Sequence, residues 1–231
     1  MEAPAPLVVF DLDGTLIDSR RDLADSTNDM LESYGAAALA VDRVTGMVGE
    51  GARVLVRRAL AASAVAPADE DEALARFRAS YDRRLLGHTR LYDGVEDMVR
   101  QCASRATVAV LTNKPEEPSR RILDALGLSP FVRWLIGGDS PCGRKPDPAG
   151  LRDLTARAGV TTDRALLVGD SRIDLETGRR AGVRVCAARY GFGALGETEL
   201  REAAWAIDSP ADLIVVLGRA FPCKVRRAPT T

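Results

Sequence analysis

The sequence predicts an α/β fold in which a parallel-sheet core carries a small all-helical cap inserted after the first strand. Three observations carry this reading. A short apolar, β-rich run, Leu7 to Phe10, is followed at once by the polar run Asp11 to Thr15. Residues from about Ser19 to Thr89 then show helical periodicity only. Beyond Tyr92 the grammar changes to an alternation of apolar strand runs and helical runs, which argues for parallel strands with helices on both faces.

Taken in order, Leu7 to Phe10 reads as a buried strand. From Asp18 the spacing of Leu23, Thr27, Met30, Leu31 and Tyr34 predicts a helix, with Asp18 or Ser19 as N-cap and Gly35 as its stop. A second helix begins near Gly51 with Val54, Leu55 and Leu60, and a third contains Leu74, Phe77, Tyr81 and Leu85. After Leu91-Tyr92-Asp93-Gly94 come a helix carrying Val95, Met98, Val99 and Cys102 and the strand Val108 to Leu111. Further strands are expected at 134–136, 165–168, 183–187 and 205–207, separated by helices at 116–126, 148–158 and 172–181. The expected division is a core of residues 1–18 and 90–223, a cap of 19–89 and a C-terminal tail of 224–231, whose Lys224-Val225-Arg226-Arg227 cluster reads as a frayed end.

Composition narrows the function. The 231 residues are 46 % hydrophobic and 28 % charged, average for a globular chain, and Lys plus Arg (32) nearly balance Asp plus Glu (33) for a net charge of -1. No overall field draws in nucleic acid or an anionic membrane. With no basic N-terminal region and no apolar run long enough to span a bilayer, the expected location is the cytoplasm. Cys102, Cys142, Cys186 and Cys223 are far apart and read as free thiols. A single histidine, His88, excludes most histidine-based catalysis and His-rich metal sites, so carboxylates, hydroxyls and lysine must carry any chemistry.

In an open α/β sheet, ligands bind beyond the carboxyl ends of the strands. Four polar groups stand there: Asp11-Leu12-Asp13-Gly14-Thr15, Thr112-Asn113-Lys114-Pro115, Arg144-Lys145-Pro146-Asp147-Pro148, and Gly169-Asp170-Ser171 with Asp174. Asp11, Asp13 and Asp170 suit a hard cation such as Mg2+, which needs only one or two carboxylates besides water and a substrate phosphate. The cation lets a carboxylate approach an anionic phosphoryl group as nucleophile. Lys145 adds positive charge, the Thr112 hydroxyl and nearby N–H groups can hold phosphoryl oxygens, and Asp13 can serve as general acid and then base. Glu50 and Arg53, in a Gly-flanked turn of the cap, either reach a distal carboxylate of the substrate or decorate a helix start.

By these four groups the chain, from Leu7 to about Gly191, resembles the haloacid dehalogenase (HAD) superfamily, specifically its phosphatases with a helical cap. The resemblance implies a Rossmann-like, HAD-like core. It makes Asp11 the nucleophile and Asp13 the acid/base, and it implies phosphate binding by Thr112, Asn113 and Lys145. The metal takes Asp11, the backbone carbonyl of Asp13, and Asp170, supported by Gly169, Ser171 and Asp174. The segments 48–56, 112–115 and 169–172 look most like phosphoglycolate phosphatases, whereas 147–150, 189–193 and the tail depart from that pattern. The implied activity is Mg2+-dependent hydrolysis of a small phosphorylated metabolite, foremost 2-phosphoglycolate, through an aspartyl phosphate, by a monomer or homodimer that binds neither nucleic acid nor membrane.

Other readings stand beside it. A calcium loop would need glycine at its sixth position and glutamate at its twelfth, where Leu16 and Asp22 stand. A dehalogenase has no need of Asp13, a phosphomutase would differ mainly in the cap, and a non-catalytic binding protein would be expected to have lost one of Asp11, Asp13, Lys145 or Asp170. Asp13 and Asp174 taken singly could also be ordinary caps.

Overall fold

Strand β1 (Leu7–Phe10) has four apolar side chains, all buried, and so suits a position where helices cover both faces of a sheet. In the computed structural model, which describes residues 4–66 and 69–222, it lies in the interior of a six-stranded sheet. Strand β2 (Ile17–Asp18) follows, then helices α1 (Arg20–Glu32), α2 (Val41–Thr45), α3 (Ala52–Ala62) and α4 (Glu70–Arg84), and strand β3 (Arg90–Leu91). The chain continues through α5 (Val95–Ala103), β4 (Thr107–Leu111), α6 (Glu116–Ala125), β5 (Trp134–Ile136), α7 (Ala149–Ala158), β6 (Ala165–Gly169), α8 (Arg172–Ala181) and β7 (Arg184–Ala188). It then passes α9 (Glu197–Glu202), β8 (Trp205–Ile207) and α10 (Leu213–Ala220). Cys223 and the tail lie outside the described residues.

The sheet order is β5-β4-β1-β6-β7-β8, and every pairing in it is parallel. The chain therefore builds outward on one side of β1 with β4 and β5, then returns to the other side with β6. Such a reversal of strand order opens a crevice at the carboxyl ends of the strands flanking it. Asp11, Thr112 and Asp170 follow β1, β4 and β6 directly, so three short apolar strands deliver three functional side chains to one place.

Helices α1 to α4 fall in the stretch expected as the insertion, with α1 packed on α2 and α4, whereas α5 packs on β4. Periodicity missed three features. The first is the antiparallel pair of β2 with β3 at the base of the insertion, two residues per strand and too short to show alternation. The others are the short helix α2 and the C-terminal helices α9 and α10. Buried Asp22, on α1, accepts hydrogen bonds from the His88 and Thr89 N–H groups (2.9 and 2.7 Å) and from the Thr89 hydroxyl (2.7 Å), tying the start of the insertion to its end. This contradicts the calcium-loop reading, because Asp22 serves that junction and a strand rather than a helix precedes Asp11. Hydrophobic side chains of both parts, among them Leu12, Leu55, Phe77 and Val168, share one continuous core.

Candidate active site

Lys145 is buried among carboxylates. Its ammonium lies 2.8 Å from Asp11 Oδ1 and 2.6 Å from Asp174 Oδ1, and it stays protonated because two anions outweigh the cost of burial. Asp174 divides its two oxygens between tasks. Oδ1 takes Lys145, while Oδ2 accepts from the Ser171 hydroxyl (2.6 Å) and N–H (3.2 Å), a capping box that starts α8. Asp174 is thus a cap and a site residue together.

Asp170 is held through Oδ2 by the N–H groups of Phe192 (3.0 Å) and Gly193 (2.7 Å), with the Thr15 hydroxyl 3.5 Å from Oδ1. Two glycines allow this approach. A Cβ on Gly14, whose φ is +89°, would stand 2.0 Å from Asp170 Oδ2, and one on Gly191 would stand 2.3 Å from the Gly14 carbonyl. Burial, then the charges of Asp11 and Asp174, push the Asp170 carboxyl well above the ordinary range. Burial likewise pushes Asp11 up to about 7, against the pull of Lys145.

Oxygens of Asp11, Asp170 and Asp174 lie within 4.8 Å of one another. Three buried acids stand together, only two of them paired with Lys145, and the donor set is oxygen throughout, so the pocket fits a hard divalent cation. Both Asp174 oxygens have close partners, whereas Asp170 Oδ1 has only the Thr15 hydroxyl at 3.5 Å and Asp11 Oδ2 has no hydrogen-bond partner among the described residues, so Asp11 and Asp170 are the side chains best able to ligate. The Asp13 side chain points elsewhere: both its oxygens lie 2.8 Å from Lys114 Nζ, and Oδ1 accepts from Ser19 at 2.5 Å. Only its backbone carbonyl remains for a metal. Ser19 takes the N-cap position of α1 but spends its hydroxyl on Asp13, and the Asp18 carboxylate beside it accepts from the Arg20 N–H at 3.2 Å.

Asp11, Asp13, Thr112 and Asp170 line a cleft of ≈ 920 Å³ between the sheet and the helical insertion. Thr112 Oγ1 accepts from the Lys114 N–H at 3.2 Å, and its own hydrogen is left to donate. Two side chains expected on the substrate are engaged within the protein. Asn113 donates its side-chain amide hydrogens to the Gly49 carbonyl of the insertion (2.8 Å) and to the Lys145 carbonyl (2.9 Å), so its side chain braces insertion to core and its backbone N–H is the group that could meet phosphate. Arg53 lies outside the cleft lining, its guanidinium drawn to Asp71 (2.6 Å) and Glu70 (3.6 Å) at the exposed start of α4. Glu50 pairs with Arg58.

Lys114 was not singled out by sequence reasoning, yet it is buried beside Asp13 and its ammonium sits 4.8 Å from the Tyr81 ring centroid. Its position immediately after β4, within one of the four polar groups, was the available signal. His88 touches none of these residues; its backbone serves Asp22.

Comparison with known proteins agrees with this geometry. The haloacid dehalogenase-like hydrolase family model matches residues 8–188. Phosphoglycolate phosphatase 1 of Pseudomonas aeruginosa is 42% identical over 192 residues, covering 80% of this chain and 70% of its own length. The phosphoglycolate phosphatase of Rhodospirillum rubrum is 43% identical over 192 residues, covering 80% of each. A crystal structure described as a predicted phosphoglycolate phosphatase from Haemophilus somnus superposes with a TM-score of 0.86 at 30% identity, over 94% of this chain and 99% of that one. The chain therefore belongs to the haloacid dehalogenase-like hydrolase family, as an enzyme resembling the phosphoglycolate phosphatases within it.

Proposed function

We propose that the chain hydrolyses a small phosphate monoester, 2-phosphoglycolate foremost, by way of a phosphoryl group carried on Asp11. The observation that carries this reading is the pairing of Asp11 with Lys145 at 2.8 Å while Asp13 stands in the same cleft on a separate cation, Lys114. Two carboxylates with different partners can take different roles.

In the first step an Asp11 oxygen attacks phosphorus, the bond from phosphorus to the ester oxygen breaks, and Asp13 gives that oxygen a proton. In the second, Asp13 takes a proton from water, the water oxygen bonds to phosphorus, and the bond to Asp11 breaks, releasing inorganic phosphate. Lys145 and the Thr112 hydroxyl are placed to offset charge on the phosphoryl oxygens. Asp11, Asp170 and the Asp13 carbonyl would hold Mg2+, which when bound neutralises part of the phosphate charge. The helical insertion, residues 19–89, limits access of water to the cleft. The two curated relatives' names motivate the choice of substrate.

The test is release of inorganic phosphate from a panel of phosphoglycolate, sugar phosphates, nucleotides and pyrophosphate, with Mg2+ and with EDTA. Mg2+-dependent release led by phosphoglycolate is expected. Release led by another ester would keep the reaction and move the substrate, whereas dependence on a bisphosphate activator would identify a mutase.

A further inference from the structure

Lys114 and Tyr81 make a cluster that the two chemical steps do not use in full. An ammonium has three hydrogens, and the two Asp13 oxygens, each at 2.8 Å, account for two. Tyr81, on α4, lies under the same ammonium with its ring stacked on Phe77, centroids 5.8 Å apart. Its hydroxyl is buried and has no hydrogen-bond partner among the described residues. The Lys114 ammonium is the group beside the phenol oxygen, so what stays without an acceptor among the described residues is the phenol hydrogen, buried and free to donate to a bound anion. Burial also pushes this phenol up to about 12, so it remains a donor at any ordinary pH.

Both groups flank Asp13 on the side of the insertion, and all three residues, with Phe77, line the cleft. Asp13 is the residue that protonates the departing oxygen, so the leaving group must lie against it. A group attached close to that oxygen then meets one cationic donor and one neutral donor, backed by an aromatic wall.

We propose that Lys114 and Tyr81 form the specificity site for the leaving group and bind a carboxylate carried next to the carbon that bears the ester oxygen. This rests on the phosphatase reading above and deepens it. The ammonium gives the site its preference for an anion, and the phenol hydroxyl fixes the second carboxylate oxygen. A short phosphorylated 2-hydroxy acid satisfies both, whereas an ester of the same length ending in a neutral hydroxyl offers one oxygen in place of two and no charge to set against the ammonium.

The test compares kcat/KM for 2-phosphoglycolate with that for 2-hydroxyethyl phosphate, which replaces the carboxylate by a neutral CH2OH. In the Tyr81→Phe enzyme, which loses one oxygen and keeps the ring, the phosphoglycolate to hydroxyethyl ratio is expected to fall at least about tenfold. Lys114→Met is expected to lower both rates, because Asp13 loses its anchor, and the ratio further still. Should Lys114→Met fail to fold, Tyr81→Phe decides alone. Release from both esters with an unchanged ratio in Tyr81→Phe would overturn this inference and leave the phosphatase reading standing. No release from either ester by the wild-type enzyme would overturn both.

Discussion

Lys145 Nζ lies 2.6 Å from Asp174 Oδ1, both side chains are buried, and the same ammonium reaches Asp11. Removing one member of such a cluster strands the others in a medium that solvates charge poorly. Lys145→Met is therefore expected to cost about 3–5 kcal/mol of stability near pH 7. The loss should be smaller at pH 5, where the carboxyls can take up protons instead. Urea denaturation at the two pH values checks this; an equal loss at both would refute the ion-cluster account.

Mg2+ should stabilise the protein, and more so at higher pH. Asp11 ionises at about 7 in the fold against its ordinary 3.8, and Asp170 is shifted in the same direction. A carboxyl raised in the fold contributes stability that is fully present below 3.8 and is lost as the pH rises through about 7. Protons and the cation compete for the same oxygens. At a hundredfold excess over Kd, Mg2+ is expected to raise Tm by roughly 5–10 °C at pH 7.5. The rise at pH 5 should be distinctly smaller. A scanning-fluorimetry series in Mg2+ at both pH values reads this directly, and an equal or larger rise at pH 5 would count against a site built on these acids.

Asp11→Asn should lower kcat by on the order of 10³ or more while the protein still folds, because the amide keeps the shape and loses the nucleophile. Asp13→Asn should remove most of the turnover. Phosphate release with circular dichroism as the folding control checks both, and hydrolysis at the wild-type rate in either variant would sink the mechanism.

Gly14→Ala is expected to abolish turnover. The added Cβ would stand 2.0 Å from Asp170 Oδ2 at a backbone φ of +89°, so Asp170 must leave the Phe192 and Gly193 amides or the turn must deform. Wild-type Mg2+ affinity in this variant, measured by calorimetry, would show that the close approach is dispensable.

Arg53→Ala should leave kcat/KM within about twofold of wild type, because the guanidinium pairs with Asp71 and Glu70 at the surface and such pairs contribute little. A loss of tenfold or more would return Arg53 to the substrate.

The parts of the fold legible in the sequence were those whose signal is local. Leu7 to Phe10 reads as a strand because four adjacent apolar residues need burial on both faces, and the polar run after it marks the strand's carboxyl end. Helices α1, α3 and α4 show themselves by side chains recurring on one face. The pairing of β2 with β3 offers no such signal, because two residues per strand contain no period, and α2, with five residues, is nearly as short.

For the site the division has the same cause. The sequence by itself determined that Asp11, Asp13, Thr112, Lys145 and Asp170 follow strands of a parallel sheet, since polar punctuation after an apolar run is a local signal; which of those strands are neighbours was settled only in the folded sheet. Only the tertiary structure decided which charges meet: Lys145 with Asp11 and Asp174, Lys114 with Asp13, Arg53 with Asp71. Charge pairing depends on distances across the folded chain and on burial, which sets how strongly each ion must be compensated, and neither is written in the spacing of residues along the sequence.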